Sequence, residues 1–410
     1  MTRTAAGGTL VLGGGFGGAY VARLLGGAGA TIVNPSASML YTPLLPEVSS
    51  GKIEPRHVVV PLRSMCPRAE ILRGRAVGLD QESLTAVVET ELDSLEIQYE
   101  RLVVALGSVT RMLPIPGLAE HSLGFKDVSD AIALRDHVIR KLEHADADLE
   151  NAERHLSFVF VGGGYAGVEA LAELTEFVRD ALRHYPRLRG VDQRWVLVDA
   201  APSILGEVPG RLAEYASSQL RKRGVDLRLE TRLESVENDA VMLSDGSRIE
   251  TETVVWTAGV RANPVLAAFG LPLDRTGRIE VGEMMGVSGR ENVWALGDCA
   301  RVPNAATPDS WDPPTCQHAL RQARRLAKTL KGRPEPYRYR SLGQGATLGR
   351  DKGIAAVGKV RLRGVLGALV TRAYHLYQLP LNSRRLRVIA DTMTSSLFRR
   401  DFAELGPPVR

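Results

Sequence analysis

An α/β chain with two doubly wound, parallel-sheet units is what this sequence predicts, and three observations carry the prediction. A strand, a glycine turn and a helix open the chain in "TLVLGGGFGGAYVARLL". The same order returns in "FVFVGGGYAGVEALAELTEFV". Short apolar runs alternate with helical stretches along most of the chain, as parallel sheets with crossover helices require.

Bulk properties narrow the classes. The 410 residues suffice for two or three domains. With 44% hydrophobic and 24% charged residues, the chain has the balance of a folded globular protein and not of a disordered one. Three cysteines occur, Cys66, Cys299 and Cys316, and none forms a CxxC or CxxxxC pair. That argues against a dithiol redox centre and a CxxC-type zinc site, and fits a reducing compartment. The eight histidines show no HxxxH or HExxH spacing, so no metal is expected. Residues 9–30 are weakly polar, but residues 7–30 hold ten glycines and only Arg3 precedes them as a basic residue. Neither a signal peptide nor a membrane span is expected there, and no other segment gives 18 uninterrupted apolar residues. The net charge of +5 is uneven: residues 351–410 carry eleven basic and four acidic residues, a balance of +7, which leaves −2 for the first 350. The charge therefore belongs to the tail, and no nucleic-acid partner is expected.

Along the chain, the first glycine turn fits G-x-G-x-x-G through Gly13, Gly15 and Gly18. The first glycine permits the tight turn and the second lets backbone approach a pyrophosphate. The third lets helix and strand pack closely, with the helix N-terminus facing the anion. Gly162, Gly164 and Gly167 repeat the spacing. Two such units imply two dinucleotides, or one bound across two halves. Each motif predicts an acid at the end of the next strand, on the adenosine ribose. "RWVLVDAAPSIL" supplies Asp199 after a lengthened crossover, and a carboxylate there favours NADH over NADPH. "ATIVNPSASMLYTP" supplies Asn34 instead, a neutral group compatible with FAD. "RLVVALGS" and "VVWTAGVRAN" each read as a strand plus a turn, and "NVWALGDCA" as a buried strand ending in Gly-Asp.

Cys316 and His318, in "PPTCQHALRQ", stand two apart, and on a helix such positions point about 200° from each other. A cooperating pair is therefore not expected there. Pro313, Pro314 and Thr315 look like a helix start with Thr315 as N-cap. Cys316 is then a small buried wall residue and His318 a packing or helix-surface residue, with a proton donor as the alternative. In the tail, "RGVLGALVTRAYHLYQLP" is too short to span a bilayer. Beyond it Leu381, Leu386, Val388, Ile389, Met393 and Leu397 sit among Arg384, Arg385, Arg387, Arg399 and Arg400, with Tyr374 and Tyr377 nearby. This pattern suits a helix in a membrane interface beside anionic lipid. An amphipathic helix packed on the body or on a second subunit is the alternative.

Taken together, these segments resemble the two-dinucleotide-domain flavoproteins, the pyridine nucleotide–disulfide reductases, over nearly the whole chain. "MLYTPLLPEVSSGKIEPRHVVVPLR", "PPTCQHALRQ" and "RAYHLYQLPLNSRRLRVIADTMTSSLFRRD" look like the type II NADH:quinone oxidoreductase branch, single-subunit monotopic flavoenzymes that reduce quinone without pumping protons. The missing cysteine pair excludes the dithiol branch and argues against a sulfide:quinone reductase. The resemblance implies a FAD-binding domain over residues 1–116 and 272–350, an NADH-binding domain over 117–271, and a membrane-association or dimerisation region over 351–410. It implies non-covalent FAD held by Gly13, Gly15, Phe16, Gly17, Gly18, Asn34, Thr42, Pro43, Ala105, Leu106 and Gly107, with Asp298 on the ribityl chain. NADH, as co-substrate, would meet Gly162, Gly164, Tyr165, Gly167, Asp199, Ala258 and Gly259. Glu169 would lie near flavin and nicotinamide, orienting the nicotinamide or relaying a proton. The helix dipole would favour its ionised form and burial would oppose it. The plain alternative is an N-terminal helical acid that suits the dipole. The family's Ala-Gln-x-Ala-x-Gln quinone pattern maps onto Gln317 and Ala319, with Cys316 for the first alanine and Arg321 for the last glutamine, Gln322 beside it. Leu379 would join this quinone set. Quinone, an anionic membrane surface and a second copy in a homodimer are the expected partners, at the cytoplasmic face of the cell membrane. Two other activities share the nucleotide motifs: a soluble reductase for a small iron–sulfur protein, and a FAD- and NAD-binding redox sensor with little turnover.

Overall fold

In the computed structural model, residues 2–307, 310–398 and 400–406 are described. Arg399, counted above among the tail arginines, lies outside them. The chain forms two compact units. The first comprises residues 1–40, 59–109 and 260–341; the second comprises 41–58, 110–259 and 342–410.

The first unit centres on a five-stranded parallel sheet in the order Val293–Ala295, Arg101–Val104, Thr9–Leu12, Thr31–Asn34, Glu70–Arg73. Leu10, Val11, Leu12, Leu102, Val103 and Val104 are wholly buried. Near-continuous apolar runs are what a parallel sheet covered on both faces demands, and each such Leu or Val contributes about 1.5–3 kcal/mol by leaving water. The helices Gly18–Leu25 and Cys316–Leu330 pack against each other here. A four-stranded sheet, Thr2–Thr4, Ser94–Gln98, Thr85–Glu89 and Arg75–Asp80 in spatial order, belongs to the same unit.

The second unit repeats the plan. Its five parallel strands run Ser122–Gly124, Thr253–Trp256, Ser157–Val161, Arg194–Val198, Val225–Arg228. Phe158 stacks on Trp195 with ring centroids 4.4 Å apart. In both sheets the strand before the glycine turn is central, so the strand order reverses beside it. Open α/β sheets bind ligands at that switch point. The helix Tyr165–Ala181 follows the second turn. The crossover to Arg194–Val198 is long, as expected, because two 3-10 turns, Leu182–His184 and Pro186–Leu188, extend it.

The tail groups with the second unit. An antiparallel three-stranded sheet, Gly343–Thr347, Gly353–Val357 and Val360–Arg363, leads into helices Val365–Gln378 and Asn382–Leu397. A Cβ on Gly367 would stand 2.5 Å from the Gly353 carbonyl oxygen, so the first helix lies directly on the strand. The "YTPLLPE" segment forms a 3-10 turn, Thr42–Leu44, running into a short helix, Leu45–Ser49. Pro43 and Pro46 fall in the first turns of these elements, where a missing N–H costs nothing.

Candidate active site

The two glycine turns have the same construction. Gly13 has φ +104°, and a Cβ there would lie 2.2 Å from the Ala105 carbonyl oxygen. Gly162 has φ +117°, with Thr257 and Ala258 crowding the same position. Only glycine fits either place. A Cβ on Gly18 would meet the Gly13 oxygen at 1.9 Å, and one on Gly167 the Gly162 oxygen at 2.0 Å, so each helix start lies against its turn. The middle glycines differ: nothing stands within 4 Å of a Cβ on Gly15 or Gly164. The backbone there can therefore be approached closely ahead of a helix N-terminus, the room a pyrophosphate needs. Gly107 and Gly259, in the turns after Arg101–Val104 and Thr253–Trp256, have positive φ and the same open surroundings. Gly17 is buried, and Phe16 and Tyr165 are half-buried beside their turns.

Asn34 and Asp199 prove to be equivalent in a way the sequence did not disclose. The Asn34 Oδ1 accepts from the Gly14 amide at 2.8 Å, and its Nδ2 donates to the Ser36 carbonyl at 2.7 Å. The Asp199 carboxylate accepts from the Gly163 amide and from Ala201 N at 2.7 Å. Each side chain closes its glycine turn from the next strand. One leaves a neutral amide and the other a negative charge.

Asp298 lies in the 3-10 turn Gly297–Cys299 and accepts from Ser108 Oγ at 2.6 Å. Gln322, beside Arg321, supports this turn. It is buried, its Oε1 accepts from Gly297 N at 2.8 Å, and its Nε2 donates to Asp312 at 3.0 Å. Thr315 caps the helix Cys316–Leu330 as expected, accepting from His318 N. His318 packs: its Nδ1 meets the Thr315 hydroxyl at 2.7 Å and its ring lies edge-on to Tyr339. Cys316 is partly exposed, not buried, because it is the first residue of its helix. Desolvation of its thiol, with the Asp298 charge adding to it, still pushes the pKa to about 12. Gln317 accepts from Ser341 Oγ at 3.5 Å. Arg321 lies over the Tyr339 ring at 5.4 Å from its centroid, which gives its charge a partner in a half-buried place. Ala319 is buried in the same helix. Leu379 is wholly buried but belongs to the second unit, as do Thr42 and Pro43.

Glu169 is buried in the helix Tyr165–Ala181. Burial, then the negative Glu47, raise its pKa to about 8, although the Thr347 amide and hydroxyl donate to Oε1 at 2.7 and 3.1 Å. Burial therefore outweighs these two hydrogen bonds. Three further acids that sequence reasoning missed stand nearby in the fold: Glu47, Glu173 and Glu176, all buried. Lys52 Nζ bonds Glu173 at 2.7 Å, and Ser50 Oγ donates to it at 3.1 Å. Arg400 reaches Glu173 at 3.6 Å and Glu176 at 3.2 Å, and Arg223 reaches Glu176 at 3.3 Å. Burial pushes the Glu173 carboxyl up, but Lys52 and Arg400 overcome it and hold it below the usual range. Arg400, read as a membrane-facing arginine, is thus a buried counter-ion. The available signal was Glu169, Glu173 and Glu176 at i, i+4 and i+7 within an apolar helix.

Among the described residues, His144, His155 and Glu252 bring ligand atoms close together. Glu252 is already occupied there, taking Lys141, Arg154 and His155. We read this group as an ion-pair network.

Two nucleotide cradles on two parallel sheets in one chain define a dinucleotide-dependent oxidoreductase. The chain belongs to the pyridine nucleotide-disulphide oxidoreductase family, whose pattern matches residues 8–323. It is 29% identical over 389 residues to a probable NADH dehydrogenase of Dictyostelium discoideum, covering 91% of this chain and 85% of that protein. It is 28% identical over 416 residues to the type II NADH:quinone oxidoreductase Ndh of Mycobacterium tuberculosis, covering 95% and 88%. The structure of NDH2 from Plasmodium falciparum in complex with NADH superposes with a TM-score of 0.89 at 16% identity, over 98% of this chain and 99% of that one, a likeness of fold.

Proposed function

We propose that this protein is a FAD-dependent NADH:quinone oxidoreductase of the non-proton-pumping type. The net reaction is NADH + H⁺ + quinone → NAD⁺ + quinol. The observation that carries the reading is the state of the thiols beside two nucleotide cradles. Cys66, Cys299 and Cys316 are all free, and desolvation of the thiols pushes their pKa values up to about 11, 11 and 12. Electrons arriving through two nucleotides thus have no dithiol to reach, and a diffusible two-electron acceptor fits. The relatives named NADH dehydrogenase and NADH:quinone oxidoreductase support the same acceptor.

Bound FAD supplies the two-electron redox chemistry, in residues 1–116 and 272–350, and the protein supplies binding and protons. The open turn at Gly15 would hold its pyrophosphate, Asn34 closes that turn, and Asp298 would take the ribityl hydroxyls. In residues 117–271, the turn at Gly164 holds the NADH pyrophosphate, with Tyr165, Ala258 and Gly259 around it. Asp199, charged and turned toward its own loop, accepts from ribose hydroxyls and repels a 2′-phosphate. Glu169 keeps its proton at neutral pH and serves as donor. Gln317, a neutral group, meets a quinone carbonyl without placing a charge in an apolar channel. Ala319, on the same helix, belongs to that wall, with Arg321 at its rim over Tyr339.

The protein associates peripherally with a membrane through its tail. Among the described residues no helix is long and apolar enough to cross a bilayer. Leu366, Leu386 and Leu397 are 62%, 67% and 77% exposed, with Leu369 and Met393 exposed beside them. Arginines 384, 385 and 387 flank this apolar face, as anionic lipid favours. We place it at the cytoplasmic face of the cell membrane. One assay tests the whole: NADH oxidation with menaquinone or ubiquinone analogues, with and without lipid. Rapid, lipid-stimulated quinone reduction is expected. A flavin-loaded protein that oxidises NADH but reduces no quinone would overturn the proposal.

A further inference from the structure

Glu47 is a second buried acid that the cycle above does not use. It lies in the helix Leu45–Ser49, which packs against the helix Tyr165–Ala181 that carries Glu169. Only 4% of Glu47 is exposed, and its Oε2 is buried with no hydrogen-bond partner. A buried carboxylate oxygen without a donor is costly, whereas the protonated acid carries less charge to desolvate.

The four acids here divide into two kinds. Glu173 and Glu176 are neutralised by Lys52, Arg400 and Arg223 within 3.6 Å. Glu47 and Glu169 have no cation in direct contact among the described residues. Glu47 faces Glu173, Arg372 and Lys52; Glu169 faces Glu47 and Glu173 and bonds Thr347. We propose that Glu47 and Glu169 form one proton-holding pair, in which Glu47 is the positioning residue that keeps a proton available on Glu169 for quinone reduction. The proposal rests on the quinone reductase reading above.

The stoichiometry suits one proton. NADH brings two electrons and one proton as a hydride, and quinol formation needs a second proton from the medium. An O–H bond of the pair breaks and an O–H bond of the quinol forms. The pair is then reprotonated from solvent, and no electrons pass through it. Burial comes first at both: with the Glu173 charge it raises Glu47 to about 7, and with the Glu47 charge it raises Glu169 to about 8, so the pair keeps one proton through neutral pH and loses it as pH rises past 8. Two like charges in one dry place cannot both be maintained.

The test is the pH profile of quinone reduction with an infrared titration of the oxidised flavoprotein, which needs no quinone. Wild type should show a buried carboxylic acid band at pH 7 that vanishes by about pH 9, and an alkaline limb near pH 8. Glu47→Gln removes the negative neighbour, so Glu169 releases its proton earlier. Both the band and the limb should move to lower pH by about one unit. Glu47→Asp keeps the charge and should restore the wild-type limb. An unmoved limb and band in Glu47→Gln overturn the pairing. If that variant does not fold, wild type decides, because absence of a protonated carboxyl at pH 7 also overturns it. If Glu169→Gln abolishes the limb while Glu47→Gln leaves it alone, this inference fails and the quinone reductase reading stands. If wild type reduces no quinone yet shows the band, that reading fails while the shared proton remains.

Discussion

Replacing Arg400 with methionine isolates the electrostatic argument for the second unit. The side chain is 5% exposed and touches three carboxylates, Glu173 at 3.6 Å, Glu176 at 3.2 Å and Asp180 at 3.8 Å. It also donates to the Glu173 carbonyl at 3.2 Å. Methionine keeps most of the volume and removes the charge. Breaking one side of a buried ion pair costs about 3–5 kcal/mol. The lower end applies, because Glu173 keeps Lys52 and Ser50, and Glu176 keeps Arg223 and the Arg350 amide at 2.8 Å. We expect a loss of about 3 kcal/mol at pH 7, read by urea denaturation with the fluorescence of buried Trp195 and Trp256. The sign with pH follows. The depressed Glu173 pKa contributes stability above the unfolded value of about 4.5, and that stability is lost as pH falls through the folded one. In Arg400→Met the carboxyl is held less firmly in its ionised form and protonates at higher pH. The gap between variant and wild type should therefore narrow from pH 7 to pH 5. A deficit below about 0.5 kcal/mol, the size of an ordinary surface change, or one that grows on acidification, would refute the reasoning.

Other expectations follow from the cradles. Gly167→Ala places a Cβ 2.0 Å from the Gly162 oxygen, so NADH KM should rise and stability fall by about 1–3 kcal/mol in thermal melts. Asp199→Asn removes one repulsion and should narrow the NADH-over-NADPH preference in kcat/KM by on the order of tenfold. Gln322→Leu leaves the Gly297 amide without its acceptor, and FAD retention on dialysis should drop with a loss of about 1–3 kcal/mol. Asn34→Ala should loosen the first turn and shed flavin, whereas Asn34→Asp, which still accepts from Gly14, should hold it.

Local chemistry was legible in the sequence. The glycine spacings, the strands ahead of them and the Thr315 cap all depend on neighbours within a few residues, and each stands where it was expected. Asp199 also stands at the end of the next strand, although two 3-10 turns lengthen the crossover before it. What stayed hidden depends on contacts between distant segments. Arg400 looked like one more tail arginine, because nothing local shows that it turns in toward Glu173 and Glu176. Glu47 was one letter in "LLPE", and nothing local shows that its short helix packs on the helix of Glu169. Gln322 looked like a displaced pocket glutamine, and only the fold shows Gly297 within its reach. Asn34 looked like a departure from a rule, yet its amide does for Gly14 what the Asp199 carboxylate does for Gly163. Acceptor geometry, not charge, is what the turn requires.

The helix Asn382–Leu397 is held along its length. Arg384 donates to the Arg56 carbonyl at 3.0 Å, and Asp391 takes His57 at 2.5 Å and the Glu54 amide at 3.2 Å. Near its end Arg350 donates to the Ser395 and Ser396 carbonyls at 3.3 and 3.0 Å. An apolar face on a helix clamped at three places is rigid before it meets anything. Contact with a surface then involves no coil-to-helix transition, so helicity should be the same free and bound. Ordering entropy, the usual penalty for a floppy anchor, is already met in folding. Residence on a surface would be governed by the area of that face and its charges, and would respond to salt more than to temperature-driven unfolding of the tail.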